Sequence, residues 1–453
     1  MRKLGLCALA LAASGAFAAS YIVPSDREMV NAAKAIVIAT GMGSYSAAGE
    51  RTMNTVYQLR VDEVLKGSLQ PGATIDVTSP SGCLGTRCVD YPGTPRYPSG
   101  TRALIFLEAD AQGRWSTWSQ ALGKFDFVKD LHGKKLLIRG GTEGEIFGWD
   151  VVGHAHMEPL RDEQQFLAYV RAVARDGAAD VKYIVPADAV RFAQRVGANA
   201  NSQGFHASNY LFNQGRWKCI FDQPAGSMAG CGGNGSVTYT LFGTAAGVNG
   251  PSAASAGMAA WNGDSLSNVN MVVGSSAAAA PWDRNDAASS IHFDDDADVT
   301  AGCGASAVGC GGNTFDTTSP YTFDGSTFFP TVGGDVAIKT GFTSNQTLYN
   351  QVVCHELGHT LGLRHADQGT PTGPAIMVSS VDTGGGGVTG AVLQQWDHDA
   401  VKTVYNPSPD GTCTPPSITT QPQGQTINSG DQANLSVVAA GSIRGSTSWF
   451  WPA

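Results

Sequence analysis

"QVVCHELGHTLGLRHADQG", residues 351–369, places three histidines and a glutamate within eleven positions. In an α-helix, residues i and i+4 share a face, so His355 and His359 can aim imidazole nitrogens at one point. Zinc takes such nitrogens at about 2.0–2.1 Å and, in catalytic sites, keeps a position open for water. Glu356 follows the first histidine directly. It lies beside the ion without having to bind it, where a base acting on an activated water must stand. A straight helix would carry position 365 away, about 15 Å along the axis for ten residues. Gly362 can end the helix in a positive-φ conformation and turn the chain so that His365 returns. The spacing predicts a three-histidine metal site. Five specified residues at these spacings arise by chance in roughly one chain of this length in 10⁵. An ordinary helix with exposed histidines explains the first half of the motif far better than the whole.

The rest of the composition sets the context. At 453 residues the chain exceeds one compact core, so two or three domains are expected. Only 15% of residues are charged, against 57 glycines, which suits a loop-rich extracellular protein. A net charge of −9 offers no basic face for nucleic acid. Outside the N-terminus no apolar run reaches the roughly 18 residues that a membrane span needs. "MRKLGLCALALAASGAFAA" has Arg2 and Lys3, an apolar stretch, and Ala16-Phe17-Ala18, the layout of a signal peptide over 1–18 and of a secreted protein. Cys7 leaves with it, and an even number of cysteines remains for an oxidising compartment. Cys83/Cys88, Cys219/Cys231 and Cys303/Cys310 suggest close pairs. Cys354 and Cys413 are left to bridge the histidine-bearing helix to the end of its domain, with proximity the only guide.

Along the chain, 19–176 reads as a mainly β domain. "KAIVIAT", "TVYQLRVDEVLKG", "ATIDVTS", "RALIFLEA", "GKFDFVKD" and "KKLLIRG" are short strand-like runs between turn residues. Their alternation points to a small barrel or sandwich. "VYQLRVDEVLKGSLQPG" followed by "RALIFLE" resembles the small barrels of netrin-like and metalloproteinase-inhibitor modules. "LRDEQQFLAYVRAVARD", residues 160–176, reads as a closing helix with Phe166, Leu167, Val170 and Val173 on one face. Residues 177–204 look like a linker with a short helix at 186–196. The unit 205–410 mixes strands ("GSVTYTLFG", "SSIHFDDDAD", "GDVAIKTGF") with helices ("SAASAGMAAWNGD" and the motif helix). That makes the fold class α+β. Residues 411–453, with "ANLSVVA" and a Trp-rich end, resemble the first part of an immunoglobulin-like sandwich, and are too short for a whole one.

"HELGHTLGLRH" matches at every fixed position the signature HExxHxxGxxH of the metzincin zinc endopeptidases, which a Met-containing turn follows. The resemblance implies a metzincin-like catalytic domain, a twisted mixed sheet with an active-site helix, preceded here by the small all-β barrel-like domain. It implies His355, His359 and His365 as ligands of one catalytic Zn2+, Glu356 as general base, and Met377 of "AIMVSS" as the Met-turn residue. "RW" at 216–217, the Ala-rich helix ending in Trp261, "IHFDDDAD", "GDVAIKTGF" and "WDHDAVKTVY" come in the order of matrixins and their bacterial relatives. Astacin-like enzymes carry Tyr two residues after the methionine. Here that residue is Ser379, so no Tyr ligand is expected. The matrixin cysteine switch is absent as well, because "SGCLGTRCVD" fits a Cys83–Cys88 bridge better.

By that resemblance the substrates are proteins or peptides, laid as an added strand along an edge strand, for which 305–330 is the best segment. Residues 370–381 are expected to wall the pocket beyond the cleaved bond, beside the glycine loop 383–387. The first domain stands where a pro-segment stands, which makes the chain a zymogen by expectation; separately, a monomer is expected. A catalytically silent, zinc-containing adhesion protein is the rival, and the intact Glu356 argues against it. Asp294, Asp295, Asp296 and Asp298 suit Ca2+ by charge but lack the Gly and Glu of an EF-hand loop, so a solvated turn is the preferred reading. His154 and His156 are read as surface residues, and His206, His292 and His398 have no assigned partners.

Overall fold

The computed structural model describes residues 23–49, 52–91, 94–129, 133–139, 159–185, 205–207, 210–213, 215–218, 235–265, 267–283, 286–323, 326–366, 374–378, 389–405, 417–420 and 438–440. The signal segment, His154 and His156, the helix expected at 186–196, Cys219, Cys231, Cys413 and the glycine loop 383–387 lie outside them.

The first module begins with α1 (Asp26–Ala32), which Ser25 and Glu28 cap reciprocally. There follow β1 (Ala35–Ala48), β2 (Met53–Lys66), β3 (Thr74–Ser79), β4 (Gly82–Leu84) and β5 (Arg87–Asp90). Next come β6 (Arg102–Ala109), β7 (Trp115–Thr117), β8 (Lys124–Lys129), β9 (Lys135–Arg139) and β10 (Leu160–Asp162). The module ends with α2 (Glu163–Asp176) and β11 (Ile184–Val185). Strand order is β1-β2-β3-β7-β6-β8-β9-β10-β11, and β6 also pairs with β1, so five strands form a closed ring of pairings.

The apolar runs of β1 and β6 serve two cores. Ala35, Val37 and Ala39 join Val61, Val77 and Ile105 on one face of the sheet. Ile36 and Ile38 join Leu104, Phe106 and Phe125 on the other, under Val30 of α1 and Phe166 and Val170 of α2. Successive strand residues point to opposite faces, so a strand buried on both faces must be apolar throughout. The label of an all-β barrel-like domain is therefore corrected: α2, the expected closing helix, and α1, which the sequence reading did not anticipate, supply half of one core. Residues 177–185, read as linker, also belong to this module, since β11 pairs with β10 and Ala179, Val181 and Tyr183 pack on the core under α2. At the buried junction Asp26 accepts hydrogen bonds from Arg139, Arg161 and Tyr183. Burial opposes its charge, but the two guanidinium groups hold the carboxyl below the usual range.

The second unit contains β12 (Phe205–Ala207), β13 (Tyr210–Phe212), β14 (Gly215–Arg216), β15 (Val237–Phe242), α3 (Gly250–Asn262), β16 (Met271–Ala277) and β17 (Ser290–Phe293). It continues with α4 (Asp296–Cys303), β18 (Gly309–Asp316), β19 (Tyr321–Phe323), β20 (Ser326–Ile338), α5 (Gln346–Thr360) and α6 (Gln395–Val404). Its sheet runs β16-β15-β17-β20-β18. The first four strands are parallel and β18 is antiparallel to β20. This is the mixed α and β architecture expected. The hairpin β4–β5 of the first module continues the sheet beyond β18. In the C-terminal segment only the antiparallel pair β21 (Ser417–Thr420) and β22 (Val438–Ala440) is described.

Cys83–Cys88 and Cys303–Cys310 are disulfides. The Cys354 bridge is corrected: Cys354 is a free, buried thiol. Its Sγ faces the Gly257 carbonyl, and burial pushes the thiol far up. No described helix is long and apolar enough to cross a membrane.

Candidate metal centre

Helix α5 is built to be buried. Asn345 caps its N-terminus, and the face at Cys354 and Leu357 packs so closely on α3 that a Cβ on Gly257 would lie 3.1 Å from the Cys354 Cα. Aromatic donors fix its last turns: Trp261 Nε1 donates to the Cys354 carbonyl (2.9 Å) and Trp217 Nε1 to the Thr360 carbonyl (2.7 Å). Tyr405 donates to the Leu361 carbonyl.

The helix ends as the glycine foretold. Gly362 has φ 89°, Leu363 N–H reaches back to the Gly358 carbonyl (3.2 Å), and Gly362 N–H bonds the His359 carbonyl (2.9 Å). This is a Schellman close, and the left-handed residue is glycine because a side chain is strained there. The turn is also clamped from outside. Asn213 N–H donates to the Gly362 carbonyl (2.9 Å), and a Cβ on Gly362 would lie 2.7 Å from the Gly215 carbonyl oxygen.

His365 accordingly comes back. The ring centroids of His355, His359 and His365 lie 4.5, 5.2 and 5.0 Å apart pairwise, with ligand-capable atoms within 4.8 Å of one another. They form the only such cluster of His, Cys, Asp or Glu among the described residues. Carbonyls orient two of the rings. His355 Nδ1 meets the Ile376 oxygen at 2.7 Å and His359 Nδ1 meets the Leu363 oxygen at 2.8 Å. A carbonyl only accepts, so each Nδ1 carries the proton and each Nε2 presents a lone pair. The two Nε2 atoms face each other at 2.7 Å. Two lone pairs so placed repel unless a cation stands among them, and with His365 they make the neutral nitrogen donor set that zinc takes. Burial pushes His355 down to about 4 and holds His359 well below the usual value, helped there by the neighbouring imidazoles, so both are neutral at physiological pH.

Glu356 is fully buried beside the triad, with its carboxylate against β18: a Cβ on Gly309 would lie 2.6 Å from Glu356 Oε1. Met377 lies against the helix, its sulfur too close to Gly358 for a Cβ to stand there. Of the residues singled out, His355, Glu356, His359, His365 and Met377 come together. The Asp294–Asp298 cluster does not act as a unit. Asp295 caps α4, while Asp294, Asp296 and Asp298 accept from the backbone of Ala246, Thr340 and Trp282. The acidic run is thus a helix start, not a solvated turn. His292 is buried between the Ala280 carbonyl and Ser290 Oγ, and His398 lies 3.5 Å from Asp264.

The sequence reading missed Asp397. Fully buried in α6, it accepts from the N–H groups of Ile376 (2.8 Å), Met377 (3.2 Å) and Gln394 (2.8 Å). It thereby fixes the peptide whose carbonyl orients His355. "WDHDAVKTVY" held the only signal, an acid in the first turn of a helix. Residues 263–406, which span β16 to α6, match the family model described as Matrixin. No curated protein matches the chain.

Proposed function

We propose that this chain, which carries a matrixin-like metzincin domain, is a secreted zinc-dependent endopeptidase with His355, His359 and His365 as metal ligands and Glu356 as general base. The observation that carries the reading is the pair of carbonyl-anchored imidazoles whose Nε2 atoms meet beside His365 and a buried carboxylate. When bound, zinc lowers the pKa of a water to about 7 and polarises the scissile carbonyl. Glu356 takes the proton of the attacking water and passes it to the leaving amine. Ile376 and Leu363 hold the ligand tautomers, and Met377 supports the helix from below as a Met-turn.

The substrates are protein segments that add as a strand to β18, which falls within the 305–330 expected for the edge. Residues 370–381 wall the pocket beyond the cleaved bond. The first domain, barrel-like in its closed pairing of strands, acts as a pro-segment. Residues 1–18 direct export, the C-terminal segment begins an immunoglobulin-like domain, and Cys219 pairs with Cys231. Incubation with a peptide library is expected to give cleavage that a zinc chelator stops and added zinc restores, while His359→Ala neither holds zinc nor cuts. Cleavage that survives both the chelator and this substitution would refute the assignment.

A further inference from the structure

The outer strand of the peptidase unit's own sheet, β18, has its outer edge already paired over its C-terminal half. β18 lies directly over the catalytic segment of α5, with Gly309 against the Glu356 carboxylate and Gly311 against the Glu356 backbone. On its other side β5 pairs in antiparallel register with the C-terminal half of the strand, beyond the stretch that lies over Glu356, Arg87 facing Asp316, Cys88 facing Phe315, Val89 facing Thr314 and Asp90 facing Asn313. The ladder extends one step further, where Thr317 N–H donates to the Thr86 carbonyl at 2.8 Å. The Cys83–Cys88 disulfide staples the lending hairpin across its own pairing.

Two further contacts make this docking specific. Val89, Tyr91 and Leu122 of the first module share one apolar cluster with Trp282, Val299 and Cys310 of the second. Ser119 and Gln120, left-handed at φ 54° and 53°, press against 302–306. There Ser119 Oγ accepts the Ser306 N–H at 2.9 Å, and a Cβ on Gly304 would lie 2.6 Å from the Ser119 Cα. Non-glycine residues keep such a conformation only where their surroundings over-determine it. Between α5 beneath it and β5 along its C-terminal half, β18 is buried at every residue from Gly309 to Phe315. An unfilled sheet edge instead presents a row of N–H and C=O groups for pairing.

We propose that the first module keeps the peptidase latent by strand substitution: Arg87–Asp90 occupies the 313–316 stretch of the β18 edge, and a peptide substrate can pair along the full strand only when the hairpin leaves. This rests on the peptidase reading above and gives it a form of regulation that uses backbone pairing in place of a cysteine on the metal.

Two variants of the full chain test it in opposite directions. Leu122→Arg puts a charge into the shared cluster and favours undocking. Arg87→Cys/Asp316→Cys joins facing residues of an antiparallel pair, whose Cα separation of about 4.5–5.5 Å is within disulfide reach, and locks the hairpin. With an extended quenched-fluorescence peptide, Leu122→Arg is expected to raise kcat/KM at least about tenfold, through KM, as the competent fraction rises. The oxidised lock is expected to fall below the unmodified protein and to recover on reduction, with the unmodified protein under the same reductant as control. Equal KM for the oxidised and reduced lock would overturn the proposal, and that comparison decides even if Leu122→Arg does not fold. Zinc content is measured throughout. Zinc-loaded protein that never hydrolyses the peptide would count against the peptidase reading alone. Anisotropy of the labelled peptide would then still decide latency: tighter binding to the reduced lock supports it, and equal binding overturns it.

Discussion

At the scale of single residues, the decisive groups are those that hold other groups. Asp397 binds the backbone, yet through the Met377 N–H it fixes the peptide whose Ile376 oxygen sets the tautomer of His355. Burial pushes its carboxyl up to about 6, against the pull of the three N–H donors toward the charged form. A carboxyl whose folded pKa lies above its unfolded value of about 3.9 costs stability as pH rises through that interval, at about 1.4 kcal/mol per unit. Asp397→Asn removes the titration but loses one acceptor. It is therefore expected to be the less stable protein at pH 4, with a gap to the parent that narrows by about 2 kcal/mol by pH 7. Urea midpoints across that range check this, and a gap that widens would contradict it. The histidines, Glu356 and Gly362 could be read from sequence because one helix and one turn place them all. Asp397 could not, because about twenty residues separate it from its partners and only the tertiary fold joins them.

At the scale of elements, the motif helix depends on a close crossing with α3. "SAASAGMAAWNGD" reads as a helix, but its small residues do not say which neighbour they admit. The structure answers with Gly257 against Cys354 and Leu357. The same crossing explains why counting cysteines misled: Cys354 is there because its compact side chain fits under α3, and burial leaves it no route to a partner. Gly257→Leu would place its first carbon 2.9 Å from Leu357 Cδ1 and its remaining atoms inside the crossing. Overpacking of this kind costs about 1–3 kcal/mol. The expected result is a lower urea midpoint together with weaker zinc retention, since α5 carries two of the three proposed ligands. An unchanged midpoint would mean that α3 does not brace the helix.

At the scale of the molecule, two modules share one sheet. The runs "KAIVIAT" and "RALIFLEA" made the strands of the first module legible, since residues buried on both faces leave a continuous apolar signal. "SGCLGTRCVD" left none, because the partner that turns it into strands lies more than 200 residues away on β18. The proposed function turns on the metal centre that His355, His359 and His365 would form, and zinc K-edge absorption on the purified, folded protein tests it most directly. One zinc per chain, with three nitrogen neighbours at about 2.0–2.1 Å and an oxygen completing the shell, is the expected result, with the nitrogen count falling in His365→Ala. Folded protein without zinc, sulfur neighbours at about 2.3 Å, or a spectrum that His365→Ala leaves unchanged would contradict the account.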